Sequence, residues 1–500
     1  MPAGPAGPAG TLVDAVGDLH ARMISWADRR ALAATSVTGI SLALGICAAA
    51  WFSAGSRPAQ LNGALALSAS YLAAFTAREI AGPGGRGAWV VALGGRLCDI
   101  AALAGLALGA LAQGWIGIWP LAATVLGLVA VRETMTACST PRPGDSPAWR
   151  AVLTILSMPA GGRVLLIVAV APLWGARASL LALLDWGIIA IGYGIGSGTA
   201  ARRRDRKAPA RPQRPRSEPG GLSVLLQPAR PAEPAEAAAR PGGQPIQVLR
   251  MELAPAPRGL SAGSLEYARQ SGAAGPADDD AGPAAPPAPP GLARQLAMVV
   301  RCRDDGAIAR WFGRPVRGQL MPLPPALLAL AAVAMLAHLG LGDLPGLLIL
   351  APALIMLVVA APGSSHPHGG RFDWLVPAVL QGAQYLYIWA LGTAGRVPLP
   401  VTFALCAVIA LRYADLGAPG SPVLAARRRT PSALARTAPG QPAPERGSWL
   451  GWEGRMIACG LGAAMGITTF AYLALAAYLG VLICWKFMTS SHGLWEGDCR

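Results

Sequence analysis

Long intervals without a charged residue divide the first part of the chain into apolar segments. Residues 31–56, 58–77 and 100–131 hold no Asp, Glu, Lys or Arg. A membrane-spanning helix needs about 20 consecutive apolar residues, so the first two intervals predict one span each and the third predicts most of two. Apolar segments at about 162–176 and 178–198 bring the count to six. The fifth segment is short, which predicts a helix that is tilted or begins further upstream.

A second series of apolar segments follows nearer the C-terminus. Four of them lie near 322–341, 344–362, 374–395 and 398–411. Residues 456–485 also hold no charge, and their length favours a tight pair of helices over one long tilted helix. The total of twelve spans predicts an all-α polytopic membrane protein, with a six-helix bundle followed by a second bundle of about six helices.

Composition shifts mark the boundaries between these bundles. Residues 1–30 predict an N-terminal tail and an amphipathic helix on the membrane surface, and residues 31–200 form the first membrane domain. The segment 201–292 is rich in Pro, Ala and Arg, so it cannot bury a core and is predicted to be a disordered cytosolic linker. Residues 293–490 form the second membrane domain, which contains a further cytosolic linker at 413–447.

Overall composition agrees with a membrane protein. The chain is 53% hydrophobic and only 14% charged, which is less polar than a soluble protein requires. The formal net charge is +16, but the arginines flank apolar segments and fill the linkers, as in cytoplasmic loops. We therefore expect no nucleic-acid partner, and we place both termini on the cytoplasmic side of a bacterial plasma membrane. The eight cysteines include no C-x2-C pair, so we predict neither a disulfide framework nor a zinc site.

The turn between the second and third apolar segments resembles a known family motif. Residues 70–95 read SYLAAFTAREIAGPGGRGAWVVALGG. They resemble the CDP-alcohol phosphatidyltransferase signature, D-x2-D-G-x2-A-R-x8-G-x3-D-x3-D, with Ala77 and Arg78 at its A-R pair and Gly87 at the glycine that follows. The four family aspartates would map to Ser70, Ala73, Val91 and Gly95. None of these four residues is a carboxylate.

The resemblance implies a six-helix fold and a role in phospholipid or phosphoglycolipid synthesis. In the family, the aspartates hold two divalent cations on a CDP-alcohol, and the last one accepts the proton of the attacking alcohol. Hard cations need oxygen ligands, so we expect no catalytic residue, no metal and no cofactor here. The resemblance leaves a vestigial substrate or anion site at Arg78, Gly87, Arg96 and Asp99. For Arg96 and Asp99, a purely structural ion pair is the alternative.

Three strings in the second half carry another resemblance. RDDGAIAR at 303–310, GSSHPHGGRFDWLVP at 363–377 and WEGR at 452–455 resemble an uncharacterised actinobacterial membrane domain often fused behind such transferases. This resemblance implies no chemistry. Within the middle string, His366, His368 and Asp373 are candidate metal ligands, although a proline separates the two histidines.

Two further features have competing interpretations. Residues 305–310 repeat the D-G-x2-A-R fragment of the family motif, but Cys302 stands at the upstream acid position. A chance match therefore competes with nucleotide binding. Asp99 and Asp185 are acids within apolar segments, which are costly in lipid, so we predict that both face the bundle interior or a polar cavity.

Three functions are compatible with these patterns. The first is a catalytically degenerate transferase-like protein that acts as a scaffold, lipid-binding or regulatory subunit. The second is an active phosphatidyltransferase with rearranged ligands, which would need Mg²⁺ or Mn²⁺. The third is a twelve-span transporter, although the turn at 78–87 lacks the aspartate that a major facilitator carries there. Expected partners are membrane lipids with anionic headgroups, a CDP-alcohol, a second copy of the chain or a partner membrane enzyme.

Overall fold

The protein is an all-α polytopic membrane protein. A computed structural model describes the following residues: 22, 25, 33–82, 86–138, 158–207, 299, 302–313, 321–338, 346–365, 372–418 and 450–495. Every regular element within them is helical. Most of the predicted surface helix and most of the two predicted linkers lie outside these described residues.

Six helices make up the first half of the described chain. They are α1 (Ala34–Ser53), α2 (Arg57–Ala81), α3 (Arg86–Ala112), α4 (Ile118–Cys138), α5 (Ala160–Trp174) and α6 (Ala176–Lys207). Helix α5 is as short as its sequence suggests, and it begins directly after Pro159, which is its N-cap. Proline fixes its own backbone and disfavours helical geometry in the residue before it, so the helix does not extend upstream.

Among its described residues, the second half contains one short helix and six longer ones. The short helix is α7 (Ala307–Gly313), followed by α8 (Leu323–His338), α9 (Ala351–Ala360), α10 (Val376–Ala394), α11 (Leu399–Gly417), α12 (Trp452–Ala464) and α13 (Thr468–Trp495). Short 3₁₀ turns at 346–350 and 361–365 lengthen α9 at both ends. The predicted helix pair at 456–485 is confirmed, because the chain turns at Met465 and Gly466, where Gly466 adopts a φ of 74°.

Six helices of the described chain are long and apolar enough to cross a membrane: Ala34–Ser53, Gly87–Ala112, Ile118–Cys138, Ala176–Gly196, Leu399–Gly417 and Thr468–Met488. Helices α5, α8 and α9 are apolar but shorter. Helices α2 and α10 are not among these six. Both bury polar side chains within the protein, Gln60 and Ser70 on α2 and Gln381 and Gln384 on α10.

Glycine allows α1 and α3 to pack in close contact. A Cβ atom built on Gly105 would lie 2.5 Å from the main-chain oxygen of Ala49, and one on Gly109 would overlap the oxygen of Phe52. Small residues four apart let membrane helices approach to backbone distance. The glycines of α3 therefore fix how closely these two helices approach.

The two halves pack against each other rather than forming separate bundles. Helix α4 contacts α10 and α11, and α3 contacts α11 and α13. Thr134 on α4 donates a hydrogen bond of 2.7 Å to Gln381 on α10. Trp89 on α3 donates one of 2.9 Å to the carboxylate of Asp415 on α11. Both bonds are buried, so the interface between the halves is specific.

Candidate functional site: a charged cavity between the two halves

A cavity of about 260 Å³ lies at the end of the bundle where α2 ends and α3 begins. Helices α1 to α5 form most of its lining, and residue 302 with the last turns of α11 completes it. Its charged lining residues are Arg78, Arg96, Asp99, Glu133 and Arg163. Three arginines against two carboxylates leave one positive charge in excess.

Three of the four positions that the motif resemblance aligned with aspartates lie in the lining of this cavity. Ser70, Val91 and Gly95 line the cavity, and Ala73 is buried beside it in a cluster with Val37 and Ala77. This is the convergence that the motif spacing predicts, because residues three or four apart share a helix face. None of the four side chains offers a carboxylate.

Ser70 is the one of these four residues that carries a side-chain oxygen, and that oxygen is already engaged. The Ser70 hydroxyl donates a 2.7 Å hydrogen bond to the main-chain oxygen of Ser41, and the Ser41 hydroxyl donates one of 2.8 Å to the main-chain oxygen of Ser70. Cys98 lies 3.5 Å from the same Ser70 hydroxyl. These contacts join α1, α2 and α3, so Ser70 has a structural role.

Both carboxylates of the cavity pair with arginine. Asp99 contacts Arg96 at 3.4 Å and also pairs with Arg163. Glu133 lies 3.0 Å from Arg163 and forms a further ion pair with Arg96. The two arginines are buried, with side-chain exposures of 4% and 7%, whereas Glu133 is 40% exposed, so the network connects α3, α4 and α5 at the wall of the cavity.

The structure shows the ion pair between Arg96 and Asp99 that was the alternative to a ligand role, and it adds two residues that sequence reasoning missed, Glu133 and Arg163. Glu133 follows Arg132 at the end of the charge-free interval that spans α3 and α4, and Arg163 begins the next apolar segment. The sequence did offer a signal for this ion pair, because Glu133 and Arg163 are charges of opposite sign near the ends of consecutive apolar segments. Pairing them requires knowing that α4 ends where α5 begins.

The other candidates of the vestigial site separate into two groups. Arg78 is exposed, lines the cavity and has no ion-pair or hydrogen-bond partner among the described residues. Gly87 is not part of the cavity lining. A Cβ at Gly87 would lie 3.3 Å from that of Ala81 and 3.4 Å from that of Ala34, so this glycine serves the packing of three helix ends.

The metal candidates of the second half are only partly described. His366 and His368 lie outside the described residues. Asp373 is buried in a 3₁₀ turn, Asp373–Leu375, that leads into α10. No group of three or more His, Cys, Asp or Glu side chains in the described part of the chain is arranged to hold a metal ion.

The position of Asp185 differs from the prediction that it faces the bundle interior or a polar cavity. It lies on the exposed face of α6 rather than toward the bundle interior. The opposite face of that helix is the one that packs, through Leu183, Gly187 and Ala190. The prediction was wrong because the apolar residues around Asp185 are on both faces, so the sequence does not mark which face is buried.

The strings at 303–310 and 452–455 of the second half bind each other. The Asp305 carboxylate accepts a 2.8 Å hydrogen bond from the Trp452 indole and pairs with Arg303 at 2.6 Å. The Glu453 carboxylate accepts hydrogen bonds from the amides of Gly306 and Ala309, at 3.1 and 3.2 Å. Because the first amides of a helix lack partners within it, Glu453 caps the start of α7. The acid of the repeated D-G-x2-A-R fragment is thus engaged by protein groups.

A second buried network extends from these strings to the first half. Asp304 pairs with Arg455 at 2.6 Å and with Arg412 at 3.3 Å. Arg412 pairs at 2.9 Å with Asp415, which also pairs with Lys486 at 2.6 Å. The other oxygen of Asp415 accepts the hydrogen bond from Trp89 described above. These five groups are three cations and two carboxylates, and each of them contacts a charge of the opposite sign, as buried charges require.

Comparison with known proteins assigns this part of the chain to no activity. Residues 293–418 match a family of unknown function (DUF5941), which covers less than half of the chain. No curated protein and no solved structure matches the sequence.

Proposed function

We propose that the protein is a CDP-alcohol phosphatidyltransferase-like membrane protein whose reaction centre is degenerate. In this proposal it serves phospholipid or phosphoglycolipid synthesis as a non-catalytic scaffold, lipid-binding or regulatory subunit. The observation that carries the proposal is the convergence of Ser70, Val91 and Gly95 on one cavity, with no carboxylate at any of the three.

The donor set does not fit the metal chemistry that the resemblance implies. A pair of divalent cations needs several free oxygen ligands. Asp99 and Glu133 are the acids in the cavity lining, and both are neutralised by buried arginines. Releasing them would leave those arginines buried and unpaired, which costs several kcal/mol. We therefore route no reaction step through a metal or through a carboxylate base.

The cavity is nevertheless suited to an anion. Arg78 at its rim is free of partners among the described residues, and the lining carries a surplus positive charge. Guanidinium groups match the geometry of phosphate oxygens, and a cleft with low-dielectric walls concentrates the field of its charges. We expect this end of the bundle to face the cytoplasm, where arginine-rich loops lie. A phosphate-bearing headgroup is the ligand that these features favour.

Two measurements on the purified protein test the proposal. Incubation with CDP-alcohols and Mg²⁺ or Mn²⁺ should release no CMP above a heat-killed control. Metal-dependent release of CMP would show that the reaction centre is active and would refute the degenerate assignment.

The anion site is tested by native mass spectrometry in mild detergent. Adducts of an anionic phospholipid such as phosphatidylglycerol should be at least several-fold fewer on Arg78→Gln than on the unmodified protein. Arg57→Gln is the matched control, because Arg57 is exposed at the opposite end of the same helix. Equal adducts on all three proteins would mean that Arg78 serves topology alone.

A further inference from the structure

The cavity has two chemically different sides, and the second half supplies one of them. The first half contributes all five charged residues of the lining. The second half contributes Cys302, Ala410, Tyr413, Ala414, Gly417 and Ala418. These are small or aromatic side chains, so this wall is apolar.

Buried polar contacts fix the position of the apolar wall. The Tyr413 hydroxyl donates a 3.1 Å hydrogen bond to Gln384 and accepts one of 3.4 Å from Arg455. Because the hydroxyl is already satisfied, the tyrosine ring is the part that the wall can offer to a ligand. Arg455 in turn is held by Asp304, and Asp415 fixes the same end of α11 to Trp89. The strings at 303–310 and 452–455 thus fix the position of the apolar wall of the cavity.

We infer that the second half makes this cavity selective for an amphiphile, namely a phospholipid, over a water-soluble phosphate. A phospholipid would place its phosphate at the rim near Arg78 and its glycerol and first methylene groups against Ala410, Ala414 and Tyr413. Removing apolar surface from water favours this arrangement, and a soluble phosphate gains nothing from the wall. This inference rests on the proposed function, which supplies the anion site, and adds the ligand class and the role of the second half.

Filling the wall tests the inference. Ala414→Leu places a larger side chain in the cavity, whereas Ala404→Leu makes the same change on an exposed position of the same helix. Native mass spectrometry with phosphatidylglycerol should show at least a fivefold loss of bound lipid for Ala414→Leu and no loss for Ala404→Leu. Glycerol 3-phosphate at the same concentration should compete at least tenfold more weakly than a short-chain phosphatidylglycerol.

A second wall variant controls for the possibility that Ala414→Leu loses lipid because it misfolds. A Cβ at Gly417 would meet only the Cβ of Ala137, at an ordinary 3.8 Å, so Gly417→Leu should fold and should also lose lipid. If both wall variants retain lipid while Arg78→Gln loses it, the wall has no role and the proposed anion site still stands. If glycerol 3-phosphate competes as well as the lipid, selectivity for an amphiphile is refuted. If the unmodified protein binds neither, the proposed anion site fails as well.

Discussion

Arg455 is the residue whose removal should most weaken the second half. Its side chain is fully buried and contacts the Asp304 carboxylate at 2.6 Å, Gln384 at 3.2 Å and the Tyr413 hydroxyl at 3.4 Å. Arg455→Met keeps the length of the side chain but removes all of these hydrogen bonds. Asp304 would then keep only the weaker contact to Arg412 at 3.3 Å.

The expected cost follows from the fate of that carboxylate. Removing one partner of a buried ion pair destabilises a protein by about 3–5 kcal/mol when the other charge stays buried without compensation. Because Asp304 keeps its contact with Arg412, we expect a cost at the lower end of this range. For a unit of 150–250 residues, each kcal/mol lowers the melting temperature by about 2–4 °C. Arg455→Met should therefore lower it by at least about 6 °C.

Thermal unfolding in detergent, followed by size-exclusion recovery after heating, measures this shift. Arg310→Met is the matched control, because Arg310 is exposed on the neighbouring helix α7 and surface charges contribute about 0–1 kcal/mol. Asp304→Asn combined with Arg455→Met should cost less than the sum of the two single changes, since the carboxylate that Arg455→Met leaves with a single weaker partner is then absent. Strict additivity, or a shift no larger than that of Arg310→Met, would refute the reasoning.

Two further predictions concern packing and topology. Gly109→Leu should destabilise the protein in the same assay by about 1–3 kcal/mol or more, because it overpacks the contact between α1 and α3. Gly39→Leu, on an open face of α1, should have little effect. Equal effects of the two variants would show that α1 and α3 can separate freely. In a cysteine-free background, a cysteine at Gly117 should react with an impermeant thiol reagent on intact cells, whereas cysteines at Gln244 and Ala435 should not. The reverse result would show that the predicted orientation in the membrane is wrong.

Helix positions were largely predictable from the sequence. Charge-free intervals mark where helices cross an apolar environment, because a charge within lipid costs several kcal/mol. The intervals at 31–56 and 58–77 coincide with α1 and most of α2. The same rule predicted too early an end for the helix at 398–411, because Arg412 interrupts the charge-free interval after residue 411. Helix α11 in fact continues to Gly417, and Asp415 is buried there by pairing with Lys486.

The composition of the cavity was only partly predictable. The motif resemblance predicts that Ser70, Val91 and Gly95 lie near one another. That prediction needs only the local rule that residues three or four apart share a helix face. The contacts of Glu133 and Arg163, and the wall formed by Tyr413, depend on which distant helices become neighbours. No periodicity within one segment encodes that choice, so the contacts of these residues could be assigned only from the tertiary structure.

The two hydrogen bonds between the halves, from Trp89 to Asp415 and from Thr134 to Gln381, have a consequence for how the chain can be divided. Each half alone would expose a polar group to lipid that the other half now satisfies, which is unfavourable in a membrane. A gene split between residues 208 and 292 should therefore yield two fragments that co-purify when expressed together. Either fragment expressed alone should be degraded.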